Sequence, residues 1–504
     1  MSASREKKKR QEFLAGGGVD PKAAREAEQK AAEKRSKILY TTVGVLFVVV
    51  AAALFVYNSG ILQRSKTAVT IGGESYTVAE TSYYYQEAYQ NFMNQYGSYA
   101  SLFGLDVNQS LKSQQYSEEQ TWDQFFKEQA VDTMRLVHAA KDAAQAENMT
   151  LEQAELDAFN ANIEAMKSQA AANGYSYKSY LNAVYGATMT ASVFESCMKD
   201  QLLAYKYTNA YADSLEFTDE EIQTYYEENK NTYDLVDAEY ITISGLPETK
   251  TDDEGNAVEA TEEEKTAAMD KAKGLAEDIL PIYETSRQLP SDYDESAVYT
   301  ANEEMRYSSG VLGDWLFDEG RKAGDAEVLV DETNSRCYVA VFNGRERDEA
   351  LDYNVRHILV TADSLELAEG EEATEELLRA KAQEILDSWD GTEDGFAALA
   401  NEHSKDPGSN TSGGLYENVP KGRMISEFQN WCYESGRKSG DTGIVYSAST
   451  GAHIMYFVGY GSEQYWHYAC DTELANNAYS EWQSELMNSV EAVQDESGMN
   501  TIGR

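Results

Sequence analysis

Two stretches of this 504-residue chain say nearly the same thing. "GRKAGDAEVLVDETNSRCYVAVF" begins at Gly320, and "GRKSGDTGIVYSASTGAHIMYF" begins at Gly436. They align without a gap at an offset of 116 residues, and Trp315 and Trp431 match at the same offset. A period this long exceeds a solenoid repeat. It describes two copies of one small α+β domain, which leaves about 230 residues ahead of the first copy for other units.

Each copy opens on a strand, "AEYITIS" (Ala238–Ser244) or "YNVRHILVT" (Tyr353–Thr361). Amphipathic helices follow, with Pro281 capping or kinking the end of the first copy's helix. A shorter helix, the Gly-Arg-Lys turn and two strands close each copy. Tyr240 and His357 match at an offset of 117, and Cys337 stands where the second copy has His453. Cys337 sits on an apolar strand, so it reads as a buried, inert thiol.

Ile38–Tyr57 is a run of 20 residues with no charge, enough to span a bilayer core. Residues 1–37 hold 11 Lys/Arg and 6 Asp/Glu, and positive flanks stay cytoplasmic. The expectation is a single-pass anchor with everything after it outside. That body carries 42 − 11 = 31 basic and 87 − 6 = 81 acidic residues. Its net charge of −50 excludes the basic footprint of a nucleic-acid binder. Cys197, Cys337, Cys432 and Cys470 show no metal-ligand spacing, so neither a metal nor a cofactor is expected; one disulfide is left open.

Between anchor and repeats the pattern is helical. Val69–Thr77 reads as a hairpin with a Gly-Gly turn. Thr77 with Glu80, Thr150 with Gln153 and Thr218 with Glu221 read as capping boxes. Helices are expected at about 121–147, 151–172 and 190–213, and "TDEEIQTYYEENKNTY" ends near Tyr233. The Tyr, Met and Ala content suits either an ordinary helical core or a groove for unfolded chains. Asp471–Glu496 reads as a last amphipathic helix, with Leu474, Ala478, Trp482 and Leu486 at intervals of four.

In the second copy, "VRHILV", "LANEHSKDPGSNTSGGL", "KGRMISEF" and "GAHIMYF" together resemble the parvulin family of peptidyl-prolyl cis–trans isomerases. The anchor, helical region and tandem repeat resemble extracytoplasmic foldases of the PrsA and SurA kind. The resemblance implies a fold of helical chaperone domain (67–235), degenerate parvulin-like domain (237–347) and parvulin domain (352–460). Each of the last two is expected as β-α3-β-α-β2, with a C-terminal helical part (465–504) returning to the chaperone domain. It implies His357, Asp406 and His453 as the catalytic floor, and Leu415, Met424 and Phe428 as the proline pocket. The family's threonine ahead of the second histidine falls on Ala448, and its "GGDLG" reads "GGLYE". His138, His403 and His467 match nothing and read as structural or exposed.

In the first copy, Tyr240, Ser308, Leu312 and Cys337 stand at the places of His357, Met424, Phe428 and His453, so activity is expected from the second copy alone. The implied partners are unfolded or proline-containing secreted chains and the membrane, with a homodimer left open. A non-catalytic holdase and a surface adhesin or scaffold are the competing classes.

Overall fold

The computed structural model describes residues 65–251, 257–367 and 371–503. The predicted anchor at Ile38–Tyr57 and its basic tail lie outside them. Among the described residues no helix is long and apolar enough to cross a membrane. The protein is mixed α+β and divides into two compact units, one of residues up to Leu215 with Tyr479 onward, the other Glu216–Ala478.

The first unit starts with the hairpin β1 (Thr67–Ile71) and β2 (Glu74–Thr77). Gly72 and Gly73 turn it at positive φ, and a Cβ on Gly72 would lie 2.4 Å from His138 Nε2. Glycine is therefore required there by both backbone and space. Helices α1 (Val78–Tyr96), α2 (Trp122–Ala146), α3 (Gln153–Ala172), α4 (Tyr177–Tyr185) and α5 (Ala191–Asp213) follow. Thr77 and Glu80 form a reciprocal capping box. The predicted Thr150 box does not form. Glu152 caps α3 with Glu155, because the helix starts two residues later than the Thr150 pattern implies. Of the Tyr and Met residues that suggested a binding groove, Tyr76, Tyr83, Tyr84, Tyr85, Met134 and Met189 are buried core, while Tyr99, Tyr116, Tyr175 and Tyr205 are exposed.

The second unit opens with α6 (Asp219–Glu228) and α7 (Lys230–Tyr233). The Thr218–Glu221 box is present, and Phe217 packs with Ile222. The first repeat is β3 (Asp234–Ser244), α8 (Glu262–Ser286), β4 (Ala297–Met305), α9 (Val311–Leu316), β5 (Asp325–Asp331) and β6 (Arg336–Arg347). Its sheet order is β4-β3-β6-β5. Pro281 does not stop α8, which continues to Ser286. Among its described residues the expected three-helix layer is reduced to the single long α8.

The second repeat is β7 (Leu351–Val360), a 3₁₀ turn at Ala362–Ser364, α10 (Glu375–Asp387), α11 (Glu393–His403), β8 (Leu415–Val419), α12 (Ser426–Tyr433), β9 (Thr442–Ser447) and β10 (Gly451–Gln464). Its sheet order, β8-β7-β10-β9, reproduces that of the first repeat. One face of the sheet buries Ile358, Val360, Ala452 and Ile454 against α10 and α11. The other buries Tyr353, Val355, Met455 and Phe457 against α12. The shared Gly-Arg-Lys turn has one job in both copies. Arg321 stacks on Trp315 and donates to its carbonyl, and Arg437 does the same with Trp431.

Helix α13 (Tyr465–Asn488) ends eight residues before the predicted Glu496. The chain then forms β11 (Ala492–Gln494), which pairs with β1, and α14 (Glu496–Met499). Strand β11 covers an edge of β1 that would otherwise offer unpaired backbone groups. Trp482 stacks on Tyr211 with ring centroids 3.8 Å apart. Leu486, Val490 and Ala492 pack on the core of the first unit. Trp482→Ala is expected to lower the unfolding free energy of this unit by about 2 kcal/mol in a denaturant titration followed by circular dichroism, from lost ring stacking and burial. An unchanged midpoint would remove the C-terminal segment from the unit's stability.

Candidate active site

Strands β7 and β10 are antiparallel, with His357 opposite Met455 and His453 opposite Leu359. Alternation sends His357 and His453 to the same face, as diagonal neighbours. Their rings stack at 5.4 Å, and the two Nδ1 atoms are 3.2 Å apart. Both are buried, at 4 and 5 % exposure. Phe428, from α12, meets both imidazoles edge-on, at 5.3 and 5.6 Å between centroids.

Asp406 is brought in by the loop after α11. Lys405 N–H donates to Leu359 O, while the Ser404 hydroxyl accepts from the N–H groups of Leu359 and Asp406. Farther on, Gly414 presses its carbonyl onto the His357 N–H at 2.9 Å. A Cβ at Gly414, whose φ is +71°, would lie 2.2 Å from the His357 carbonyl oxygen. The Gly-Gly pair is thus needed for backbone approach.

His357 Nε2 lies 2.9 Å from Asp406 Oδ2, which also accepts from the hydroxyls of Ser409 and Tyr416. Gly408 N–H donates to Oδ1 at 3.1 Å. His357 above all, then Ser409, Gly408 and Tyr416, hold the Asp406 carboxyl well below the usual carboxylate range, against the opposing effect of burial. At the other end, the Thr450 hydroxyl lies 2.8 Å from His453 Nε2. Burial, followed by the neighbouring His357, pushes His453 down to about 4.

With His453 neutral, these contacts admit a consistent direction. Thr450 donates to His453 Nε2, His453 Nδ1–H donates to His357 Nδ1, and His357 Nε2–H donates to Asp406. Every ring nitrogen is then satisfied and each tautomer is set by its neighbour. The histidines form a buried support, and the ionised Asp406, 15 % exposed, is the polar group at the surface of the cluster.

Met424 is half-buried at the edge of the same apolar cluster as Phe428. Leu415 is not brought to it. It pairs with Arg356, and the adjacent Tyr416, opposite Val355, takes the site face of β8. Tyr416 packs against that cluster and sets its ring 5.6 Å from His357. Sequence reasoning missed Ser409, Tyr416 and Thr450. Tyr416 stands where "GGDLG" has its leucine, and that positional match was available. Thr450 supplies a hydroxyl to His453 although Ala448 has none.

The first repeat differs from its sequence alignment. Tyr240 pairs with Ala340 as His357 pairs with Met455, so Tyr338, and not Cys337, takes the place of His453. The hairpin of the first repeat has four residues between β5 and β6, Glu332–Ser335, against three between β9 and β10. One extra residue shifts the offset from 116 to 115 and reverses the face of every following side chain. Cys337 is accordingly buried among Ile241, Ile243 and Ala276 on the α8 side. Burial raises its thiol pKa. Where the second repeat stacks two histidines, the first sets Tyr240 and Tyr338 edge to face at 6.2 Å. Leu312 packs beside them, in the place of Phe428.

His138 is buried and bonded to the Tyr76 hydroxyl, and His467 is bonded to Glu463. The four cysteines are buried and unpaired. Among the described residues no cluster of His, Cys, Asp or Glu is arranged to hold a metal ion.

Residues 341–458 match the family model for the PPIC-type PPIASE domain. Among curated proteins, a chaperone SurA of Alkalilimnicola ehrlichii is 26 % identical over 140 residues, covering 27 % of this chain and 30 % of that relative. The match therefore spans less than a third of the curated relative. Among solved structures, the foldase PrsA of Streptococcus pneumoniae is similar over 75 % of this chain and 93 % of its own, at 12 % identity and a TM-score of 0.27. PrsA of Bacillus subtilis is similar over 76 % of this chain and 93 % of its own, at 13 % identity and a TM-score of 0.25.

The site makes a linked prediction about pH. An unfolded histidine titrates near 6.5 and folded His453 near 4. Between these values the unfolded chain takes up a proton that the folded one does not, so stability falls as pH drops through the window. Asp406 is depressed instead, so its contribution is present above the usual carboxylate pKa and is lost as pH falls further. The melting temperature of His453→Asn is expected to fall less than the parent's from pH 6.5 to 4, with the steeper loss below 4 retained in both. Parallel melting curves over that window would contradict a neutral, buried His453.

Proposed function

Because residues 341–458 match the model of the PPIC-type isomerase domain, we propose that this protein is an extracytoplasmic foldase, and that its second repeat alone isomerises X–Pro bonds in unfolded or secreted chains. The observation that carries the reading is the joined cluster of Asp406, His357 and His453 beneath Phe428 and Met424. The roles assigned to these residues, and the anchoring of the body by Ile38–Tyr57, are part of the proposal.

The chemistry breaks no covalent bond. Amide resonance raises a rotation barrier of about 20 kcal/mol and places negative charge on the carbonyl oxygen of the planar form. A fixed carboxylate facing that oxygen disfavours the charge-separated planar form more than the twisted one. Met424 and Phe428 would hold the pyrrolidine ring, and Tyr416 would close the pocket on the side that Leu415 was expected to fill. His357, with Ser409, Gly408 and Tyr416, keeps Asp406 ionised and oriented, so no reorganisation accompanies the twist. Each 1.4 kcal/mol of preference for the twisted state gives about tenfold in rate. Tyr240 and Tyr338 offer no such carboxylate, which supports a binding or spacing role for the first repeat.

Client holding is assigned to the first unit. Beside its buried tyrosines, Tyr99, Leu102, Phe103, Val107 and Tyr116 are exposed in one stretch between α1 and α2. Apolar exposure gathered in one segment marks an interaction surface.

A proline-limited refolding assay tests the reading. The parent is expected to speed the slow phase, and Asp406→Asn and Met424→Ala to lose about tenfold or more of that acceleration. Leu102→Ser with Phe103→Ser is expected to weaken suppression of client aggregation and leave isomerisation intact. A parent that suppresses aggregation without speeding the slow phase is a holdase, and one that does neither is an adhesin or scaffold.

A further inference from the structure

The loop Pro420–Arg423 delivers Met424 to the edge of the apolar cluster. It has few ties within its own repeat. Arg423 N–H donates to Pro420 O at 3.3 Å, and Gly422 N–H donates to Gln429 Oε1 on α12. The strongest tie leaves the repeat. Lys421 Nζ lies 3.0 Å from Glu304 Oε2 and 3.1 Å from Asp348 Oδ2.

Glu304 belongs to β4 of the first repeat, and Asp348 to the short link between the repeats. Asp348 is 2 % exposed and is also paired with Arg306, the residue after β4. The Ala350 N–H donates to Asp348 Oδ1 at 3.1 Å, and the Trp466 N–H to its carbonyl at 3.2 Å. Arg306 in turn lies over the Tyr465 ring, 4.6 Å from its centroid. An exposed ion pair fixes little. Here one carboxylate is buried, hydrogen-bonded and shared by two cations, and Lys421 is itself only 15 % exposed. A buried charge of this kind holds its partners in place, because releasing one leaves it uncompensated.

We propose that Lys421 is a positioning residue through which the first repeat, itself without the site residues, sets the place of Met424 in the second. Glu304 and Asp348 grip the loop three residues before Met424, so the first repeat acts as a brace for the proline pocket. The inference rests on the isomerase reading for its effect on turnover, and on the ion pairs alone for its effect on the loop.

The test uses the full chain, with Lys421→Met, Lys421→Arg and Glu304→Gln. Arg306 still pairs with Asp348 in all three, which protects folding. Amide hydrogen exchange at 422–424 and steady-state isomerisation of a short Ala-Pro peptide are measured together with the melting temperature. Lys421→Met is expected to speed exchange at 422–424 and to raise KM about tenfold with kcat within about twofold, since the pocket is displaced and the polar cluster is not. Lys421→Arg is expected to restore the parent's values, and Glu304→Gln to shift them partway. The proposal is overturned if Lys421→Met matches the parent in exchange. It is also overturned if kcat and melting temperature fall together without rescue by arginine, which is the signature of a general packing defect. Should the parent itself leave the peptide untouched, the isomerase reading fails. The exchange comparison then decides the brace by itself.

Discussion

The antiparallel pairing of β7 with β10 is the constraint on which the site depends. Its register places His357 and His453 on one face of the sheet and Ile358 and Ile454 on the other. A slip by one residue would bury the isoleucines against α12 and turn the histidines into the helical layer. The apolar faces thus enforce a polar arrangement that would not hold itself together. The two buried imidazoles meet through their Nδ1 atoms, and Asp406 and Thr450 satisfy the outer nitrogens.

The repeat, the opening and closing strands of each copy and its long amphipathic helices are legible in the sequence, because hydrophobic period and capping residues act locally, whereas β8 lies in a stretch that reads as a loop. The grouping of His357, His453, Asp406, Met424 and Phe428 is legible too, though only through a family resemblance. The position of Cys337 is not. An ungapped alignment carries it onto His453, but one added residue in the β5–β6 hairpin turns it to the opposite face and brings Tyr338 forward. Sequence identity around a turn cannot register such a change, since the flanking strands stay apolar on both sides. Leu415 shows the parity problem again, one residue away from the face that Tyr416 occupies.

Ala448 was a warning in the sequence that the second copy had also begun to lose its site. Thr450 answers it from two residues away, because the tight hairpin turn lets a neighbouring hydroxyl reach His453 Nε2. The first copy has no comparable substitute. Among its described residues it has no counterpart of α11 or of the loop that carries Asp406, so its tyrosine pair has no carboxylate to support. What it retains is the fold, the arginine–tryptophan turn and the acidic grip on Lys421.

The proposal turns on Asp406, held ionised above all by its hydrogen bond with His357, as the group that would make the second repeat alone active. Exchange spectroscopy of a short Xaa-Pro peptide at catalytic protein concentration tests it most directly, because it detects cis–trans interconversion without a client or a coupled reaction. The account predicts exchange cross-peaks with the parent and with Cys337→Ala, and their loss with Asp406→Asn although the peptide still binds. Undiminished exchange in Asp406→Asn, or exchange abolished by Cys337→Ala in a folded protein, would contradict it.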